Sequence, residues 1–157
     1  MRIQIESEQV LKVQQEWAAG IVKIGSLKEN KRECRQFTEN FLDLLYAFET
    51  GQVLFKPTKA AVVPFRNDKE SALSYFIGGN DLFPEDHGFA LEPWISVRFE
   101  NNGLILEEGR ALAMGNYFFT NQNGMENKVE FSFAYRLVGQ ELKIDLHHSS
   151  LPYSAGH

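Results

Sequence analysis

The side chains able to do acid-base chemistry are few, and they gather in three places. His147 and His148 stand side by side near the C-terminus, followed by Ser149 and Ser150. Asp86 and His87 adjoin in a stretch punctuated by Pro84, Gly88 and Pro93. Tyr46 and Tyr135 sit among apolar neighbours, and Trp94, Arg98 and Asn116 complete the set suited to a planar or anionic ligand. An imidazole exchanges a proton near neutral pH, and a phenol donates a hydrogen bond without ionising. These types suit proton transfer or recognition of a small polar molecule. Asp86 and His87 have the chemistry of a charge relay. Adjacent residues rarely aim both side chains at one substrate, so their expected role is a loop hydrogen-bond cluster, with His87 kept as a ligand contact.

The same inventory excludes other chemistries. Cys34 is the single cysteine, which rules out an intramolecular disulfide and a cysteine-based zinc site. His147 and His148 are strand neighbours that point to opposite faces and cannot chelate one ion. Gly78-Gly79 closes a helix and does not open one, so it is no phosphate loop. His157 lies in the terminal tail. No metal and no cofactor are expected. With 16 basic and 21 acidic side chains the net charge is −5, and no basic cluster exceeds Lys31-Arg32, which argues against nucleic acid as a partner. No apolar run approaches the ~20 residues of a membrane span, and the first residues lack a secretory signal. A cytoplasmic protein is expected, a single domain over 1–157 with its core at about 8–153.

Positioning these residues falls to helices first and strands afterwards. Val10, Val13, Trp17, Ile21 and Ile24 recur at three- and four-residue steps and predict one helix, capped by Ser7 and stopped at Gly25-Ser26. Asn30 and Glu33 form a capping pair for a second, with a stripe through Cys34, Phe37, Phe41 and Phe48 that ends at Gly51. Val53–Phe55 and Ala61–Val63 read as short extended pieces. Asp68 caps a third helix, closed by Gly78-Gly79. Asn80–Pro93 is a long loop, which points to a functional segment. From Trp94 the chain alternates as strands, with turns at Asn101-Asn102-Gly103, Asn121–Gly124 and Gly139-Gln140. Helices followed by a strand meander predict an α+β fold, with helices on one face of an antiparallel sheet.

The hairpin at Gly139-Gln140 assigns faces. Regular pairing puts Phe131, Phe133, Tyr135, Ile144, Leu146 and His148 under the helices, and Ser132, Ala134, Arg136, Asp145 and His147 outside. His148 then enters an aromatic interior. A one-residue bulge would exchange the two histidines, so both are retained. Trp94 suits the mouth of that interior, with Arg98 beneath it by strand parity, and Asn116 is a polar liner. The chain carries 13 Phe, 5 Tyr and 2 Trp, an aromatic content of 13%, more than a core of this size needs unless the rings line a pocket or an interface.

Two or three N-terminal helices, a twisted sheet and a closing strand Leu146-His147-His148-Ser149-Ser150-Leu151-Pro152 resemble the nuclear transport factor 2-like (NTF2-like) superfamily. Its SnoaL-like proteins and the association domain of calcium/calmodulin-dependent protein kinase II have similar closing strands. The stretches Phe55–Thr58, Glu85–Leu91 and Ala113–Tyr117 resemble a bacterial branch without an assigned activity. The resemblance implies a cone-shaped α+β fold that hosts binding proteins, acid-base enzymes and assembly modules. Three readings follow. The first is a small-ligand-binding homodimer whose ligand the sequence does not name, with Trp94, Arg98, Asn116, Tyr135, His148 and His87 around the pocket and the polar sheet face between subunits. The second is an isomerase, dehydratase or cyclase using His148 and Tyr135. The third is an oligomerisation module.

Overall fold

The computed structural model describes residues 3–155, so His157 lies outside the described residues. Three helices, α1 (Ser7–Ser26), α2 (Lys31–Leu45) and α3 (Lys69–Ile77), pack on one face of a five-stranded sheet. The strands are β1 (Leu54–Lys56), β2 (Trp94–Leu106), β3 (Arg110–Asn121), β4 (Glu126–Val138) and β5 (Glu141–Ser150). Their order is β1-β5-β4-β3-β2. The α+β architecture is as expected. The sheet is not wholly antiparallel, because β1 runs parallel to β5. Among the described residues no helix is long and apolar enough to cross a membrane.

Local chemistry explains most boundaries. Asn30 accepts from the Glu33 N–H, and Asp68 accepts from the Ser71 N–H, so both expected caps form. Glu6 replaces Ser7 as the cap of α1, in a reciprocal pair with Gln9. α2 stops at Leu45, six residues before the glycine expected to end it. Tyr46 turns to extended backbone, bridges Ile144 of β5 and carries its side chain inward. Ala61–Val63 forms no strand. Its backbone N–H groups are held by the Glu85 carboxylate.

Two further departures are bulges. The Asn101-Asn102-Gly103 hairpin does not form: β2 runs through it to Leu106 with a register shift between Asn101 and Gly103. The Asn101 amide is held by the Gln14 amide in a reciprocal pair of 2.8 Å hydrogen bonds, and Gly115 leaves room for the displaced backbone. The turn falls instead at Glu107–Gly109. The second bulge lies in β5. Ala134 pairs with Leu146, but Tyr135 pairs with Ile144, so Asp145 is extra. Arg110 grips the Asp145 carboxylate through two hydrogen bonds of 3.0 and 2.6 Å. Beyond the bulge every side chain changes face, as the period of two requires.

The core is aromatic. Trp17 sits at its centre, edge-on to Phe76, Phe99 and Phe133 and stacked on Tyr117. Phe41 lies over Gly20 of α1, where any Cβ would overlap its ring. The opposite sheet face leaves Ile105, Leu112 and Met114 exposed beside Leu146, an apolar strip of the kind that protein interfaces cover. The expected mass by light scattering at micromolar concentration is therefore twice the 18.0 kDa of one chain; a single-chain mass would show that the strip is free. Phe41→Ala is expected to destabilise the fold by ~3–5 kcal/mol in chemical denaturation, since the cavity would open between two helices already in contact. An unchanged midpoint would mean that α2 is not fixed by this contact.

Candidate functional site

The bulge at Asp145 decides which histidine enters the cone. His147 is buried, at 2% exposure, while His148 lies on the outer face beside Ser132. The expectation for His148 is thereby corrected: the extra residue exchanges the two imidazoles. His147 stacks on Phe133 at 4.1 Å and on Phe55 at 4.7 Å.

Both ring nitrogens of His147 are engaged. The Tyr46 hydroxyl lies 2.8 Å from Nδ1, and the Tyr117 hydroxyl lies 3.0 Å from Nε2. The direction of the chain follows from its ends. The Trp17 indole N–H can only donate, and it donates to the Tyr46 oxygen at 3.0 Å. The Tyr46 hydrogen then has Nδ1 as its acceptor. Nε2 therefore carries the proton and donates to Tyr117. Tyr117 donates to Ser149 Oγ at 2.6 Å, and Ser149 meets Thr58 Oγ1 at 2.6 Å. Tyr75 accepts from the Lys59 N–H at 3.1 Å and interacts with Thr58. The hydroxyls of Thr58, Tyr75, Tyr117 and Ser149 thus converge on one internal cavity of about 10 Å³, walled by Trp17, Phe55, Phe76 and Phe89.

Burial sets the protonation states. Desolvation, with the nearby His148 adding to it, lowers the His147 pKa well below that of a free imidazole, so the ring is neutral. Desolvation raises Tyr46, Tyr117 and Tyr75 far above ordinary phenols, and their hydrogen bonds offset it only in part. All three therefore stay protonated. The site is an uncharged set of donors and acceptors inside a dry aromatic wall, able to hold water, orient a very small substrate and pass protons.

The other expected site residues do not join it. Tyr135 is buried, but its hydroxyl accepts from Gln14, and Phe133 separates it from His147. Trp94 plugs the core, with its indole N–H on the Phe89 carbonyl, and is not at the mouth. A register shift after Trp94 breaks the parity, so Arg98 faces outward over Phe118 and pairs with Glu100 and Glu126. Asn116 lies on the outer face in a groove with Met114, Glu130 and His148. His87 is exposed on the long loop, and Asp86 pairs with Arg66 and Ser74 rather than with its neighbour. Among the described residues no group of three or more His, Cys, Asp or Glu side chains is placed to hold a metal. Sequence reasoning missed Tyr117, Ser149, Thr58 and Tyr75. The inward parity of Tyr117 with Phe119 on β3 was the available signal for one of them.

Comparisons with known proteins place the chain. Residues 8–151 match the profile of the metal-independent carbonic anhydrase family. A metal-independent carbonic anhydrase from Nostoc sp. is 35% identical over 154 residues, spanning 95% of this chain and 75% of that protein. The crystal structure of a cyanobacterial iota-carbonic anhydrase complexed with bicarbonate is 34% identical, covers 96% of this chain and 94% of its own, and has a TM-score of 0.92. A calcium/calmodulin-dependent protein kinase II association domain from Xanthomonas campestris, at 16% identity, a TM-score of 0.64 and coverage of 96% and 91%, shows the shared NTF2-like fold alone. The chain belongs to the metal-independent carbonic anhydrase family. The expected NTF2-like fold is shared with these structures, and the family is one of carbonic anhydrases rather than a branch without an assigned activity. Membership overturns the expected small-ligand-binding protein of unnamed ligand, and neither the isomerase, dehydratase or cyclase reading nor the oligomerisation module matches it.

The buried neutral imidazole has a consequence for acid stability. An unfolded chain protonates His147 near pH ~6.5, whereas the folded chain resists protonation, so the unfolded state binds more protons below that pH. Stability is expected to be fully present above pH ~6.5 and to fall as pH drops from there toward the lower folded value. Melting temperatures from pH 7.5 to pH 5 check this against His147→Gln, whose profile should be flatter by ~1 kcal/mol or more for each pKa unit of lowering removed. Parallel profiles would place the imidazole in water.

Proposed function

We propose that this member of the metal-independent carbonic anhydrase family interconverts carbon dioxide and bicarbonate in the cavity between Thr58, Tyr75, Tyr117 and Ser149. One observation carries the reading: an oriented hydrogen-bond chain from buried His147 through Tyr117 and Ser149 ends at a cavity with room only for very small molecules. The bicarbonate complex of the 34% identical cyanobacterial iota-carbonic anhydrase supports the same substrate class.

The two reactants ask for different surroundings. Carbon dioxide is linear and without a dipole, so the faces of Phe55, Phe76 and Phe89 accept it without loss of hydration. The attacking water needs polar partners, which the hydroxyls supply. In hydration the water oxygen bonds to carbon, one C=O pair moves onto oxygen, and the water gives up a proton. Each hydroxyl of the cluster takes a proton on a lone pair while passing its own onward, so none is left as an alkoxide. Because Tyr117 stays protonated and gives its hydrogen to Ser149, the Ser149 hydrogen can aim at the growing oxyanion, where aimed hydrogen bonds in a dry site stabilise the transition state most. His147 acts through Tyr117. Its Nε2–H fixes the phenol oxygen, so that the phenol hydrogen points to Ser149. It is a positioning residue here. The bicarbonate formed is an anion in a site with no cation among its lining residues, which favours release.

Stopped-flow hydration of carbon dioxide with an indicator, in the presence of a chelator, tests the proposal. The expected result is turnover that the chelator does not change. Ser149→Ala, with the fold intact by circular dichroism, is expected to lower kcat by ~100-fold, the scale set by losing one aimed donor. Hydration no faster than the uncatalysed rate in the native chain, or full activity in Ser149→Ala, would refute this site.

A further inference from the structure

The reaction proposed above leaves one proton over for each bicarbonate made, and the internal cavity has no group that can keep it. Burial holds His147 neutral between two phenols, and the tyrosines neither ionise nor accept a lasting charge. The proton must leave the cone for turnover to continue.

A second space adjoins the first. An open vestibule of about 210 Å³ is lined by Lys59, Tyr75, Glu85, Asp86, His87 and Glu92, with Phe89. Tyr75 and Phe89 also line the internal cavity. They stack on each other, with ring centres 5.5 Å apart, and form the partition between the two spaces. Tyr75 is also the member of the hydroxyl cluster that lies on this boundary. His87 is exposed on the far side, at the end of the long loop that no catalytic role has absorbed.

The loop is built to hold His87 there. Its neighbour Asp86 is buried and takes two hydrogen bonds of 2.7 and 2.8 Å from Arg66, itself fully buried, and another from Ser74 of α3. On the other side Gly88 adopts φ 86° and packs against Ile77, where a side chain would be strained. The charges around the vestibule discriminate between a proton and an anion. Asp86 is balanced by Arg66. Glu85 is kept ionised, with its pKa lowered to about 2 by the N–H groups of Ala61, Val63 and Val62. Glu85 and Glu92 then outnumber Lys59, so the rim carries a negative field that disfavours a departing bicarbonate.

We propose that His87 is the proton relay of this site. It takes the proton released by hydration, through Tyr75 and vestibule water, and hands it to a buffer base in solution. The assignment rests on the carbonic anhydrase reading. The balance is simple: one C–O bond forms, one O–H bond of water breaks, each relaying hydroxyl gains one proton and loses one, and the buffer base ends protonated. His87 does not touch the reacting atoms, so its loss must slow proton export, and a small mobile base that reaches the vestibule must restore it.

The test separates a relay from a structural role. Stopped-flow hydration of carbon dioxide is followed for His87→Gln and the native chain at low buffer concentration and with added imidazole, with melting curves to verify the fold. The expected result is a fall of ~10-fold or more in the kcat for hydration of the variant at low buffer, and its recovery on adding imidazole. An active native chain with a His87→Gln variant that matches it at low buffer overturns the relay alone. A folded variant that stays slow with imidazole also overturns it, because the role is then structural. A native chain with no hydration above the uncatalysed rate overturns the proposed activity and the relay with it.

Discussion

A neutral imidazole buried between two phenols is the constraint on which the interior depends. Among the described residues no carboxylate bonds His147, and aromatic rings cover both its faces. A charged ring there would have no partner, so it must be neutral, with one donor and one acceptor nitrogen. Filling both polarises a chain that runs from the Trp17 indole to Ser149 without a break. The aromatic richness of the sequence acquires a purpose in this light. Rings exclude water from the network, and in a dry surround each hydrogen bond is stronger and each unmade one costlier. The rings thus hold the orientation of the hydroxyls as firmly as the hydroxyls hold one another.

A filled cone would ordinarily favour an assembly module, since a large substrate needs a large cavity. Substrate size removes that inference. A triatomic gas requires almost no space, and surplus space would admit water and slacken the donors. A cavity of about 10 Å³ is on the scale of a single water and is incompatible with a polycyclic substrate. The shared fold fixes the cone, and the residues at its end fix the chemistry.

Much of this was legible in the sequence, and the failures have local causes. Helix periodicity located α1 and α2, the Asp68 cap and the Gly78-Gly79 stop located α3, and the Asn30 and Asp68 caps formed as expected. The facing of β4 was right from its alternation. Strand parity failed wherever a bulge intervened. The shift after Trp94 sent Arg98 outward, and the one at Asp145 exchanged His147 with His148. Neither bulge has a signal in the strand that carries it. Asp145 leaves the ladder because Arg110, 35 residues earlier, takes its carboxylate. The Asn-Gly turn signal at Asn102-Gly103 was overridden by a helix residue, Gln14, bound to Asn101. Thr58 and Tyr75 could not be found by pattern at all. They reach the cavity from a loop and a short helix whose placement is a tertiary matter.

That placement traces to one buried ion pair. Arg66 belongs to the loop that supplies Thr58. It bonds the Ser71 carbonyl at the start of α3, the helix of Tyr75, and the carboxylate of Asp86, in the loop of His87 and Phe89. Three segments that make the front wall are tied by a single guanidinium. Replacing such a pair by apolar residues can leave stability unchanged, but removing one partner strands the other charge in the interior. The arrangement therefore contributes less to net stability than to geometry. It sets the distance between the hydroxyls that line the cavity and the histidine at the vestibule, and it ties them to the same anchor. A wall assembled from separate segments can bring two loop residues and a helix phenol to one point, which a single strand with its alternating faces cannot do.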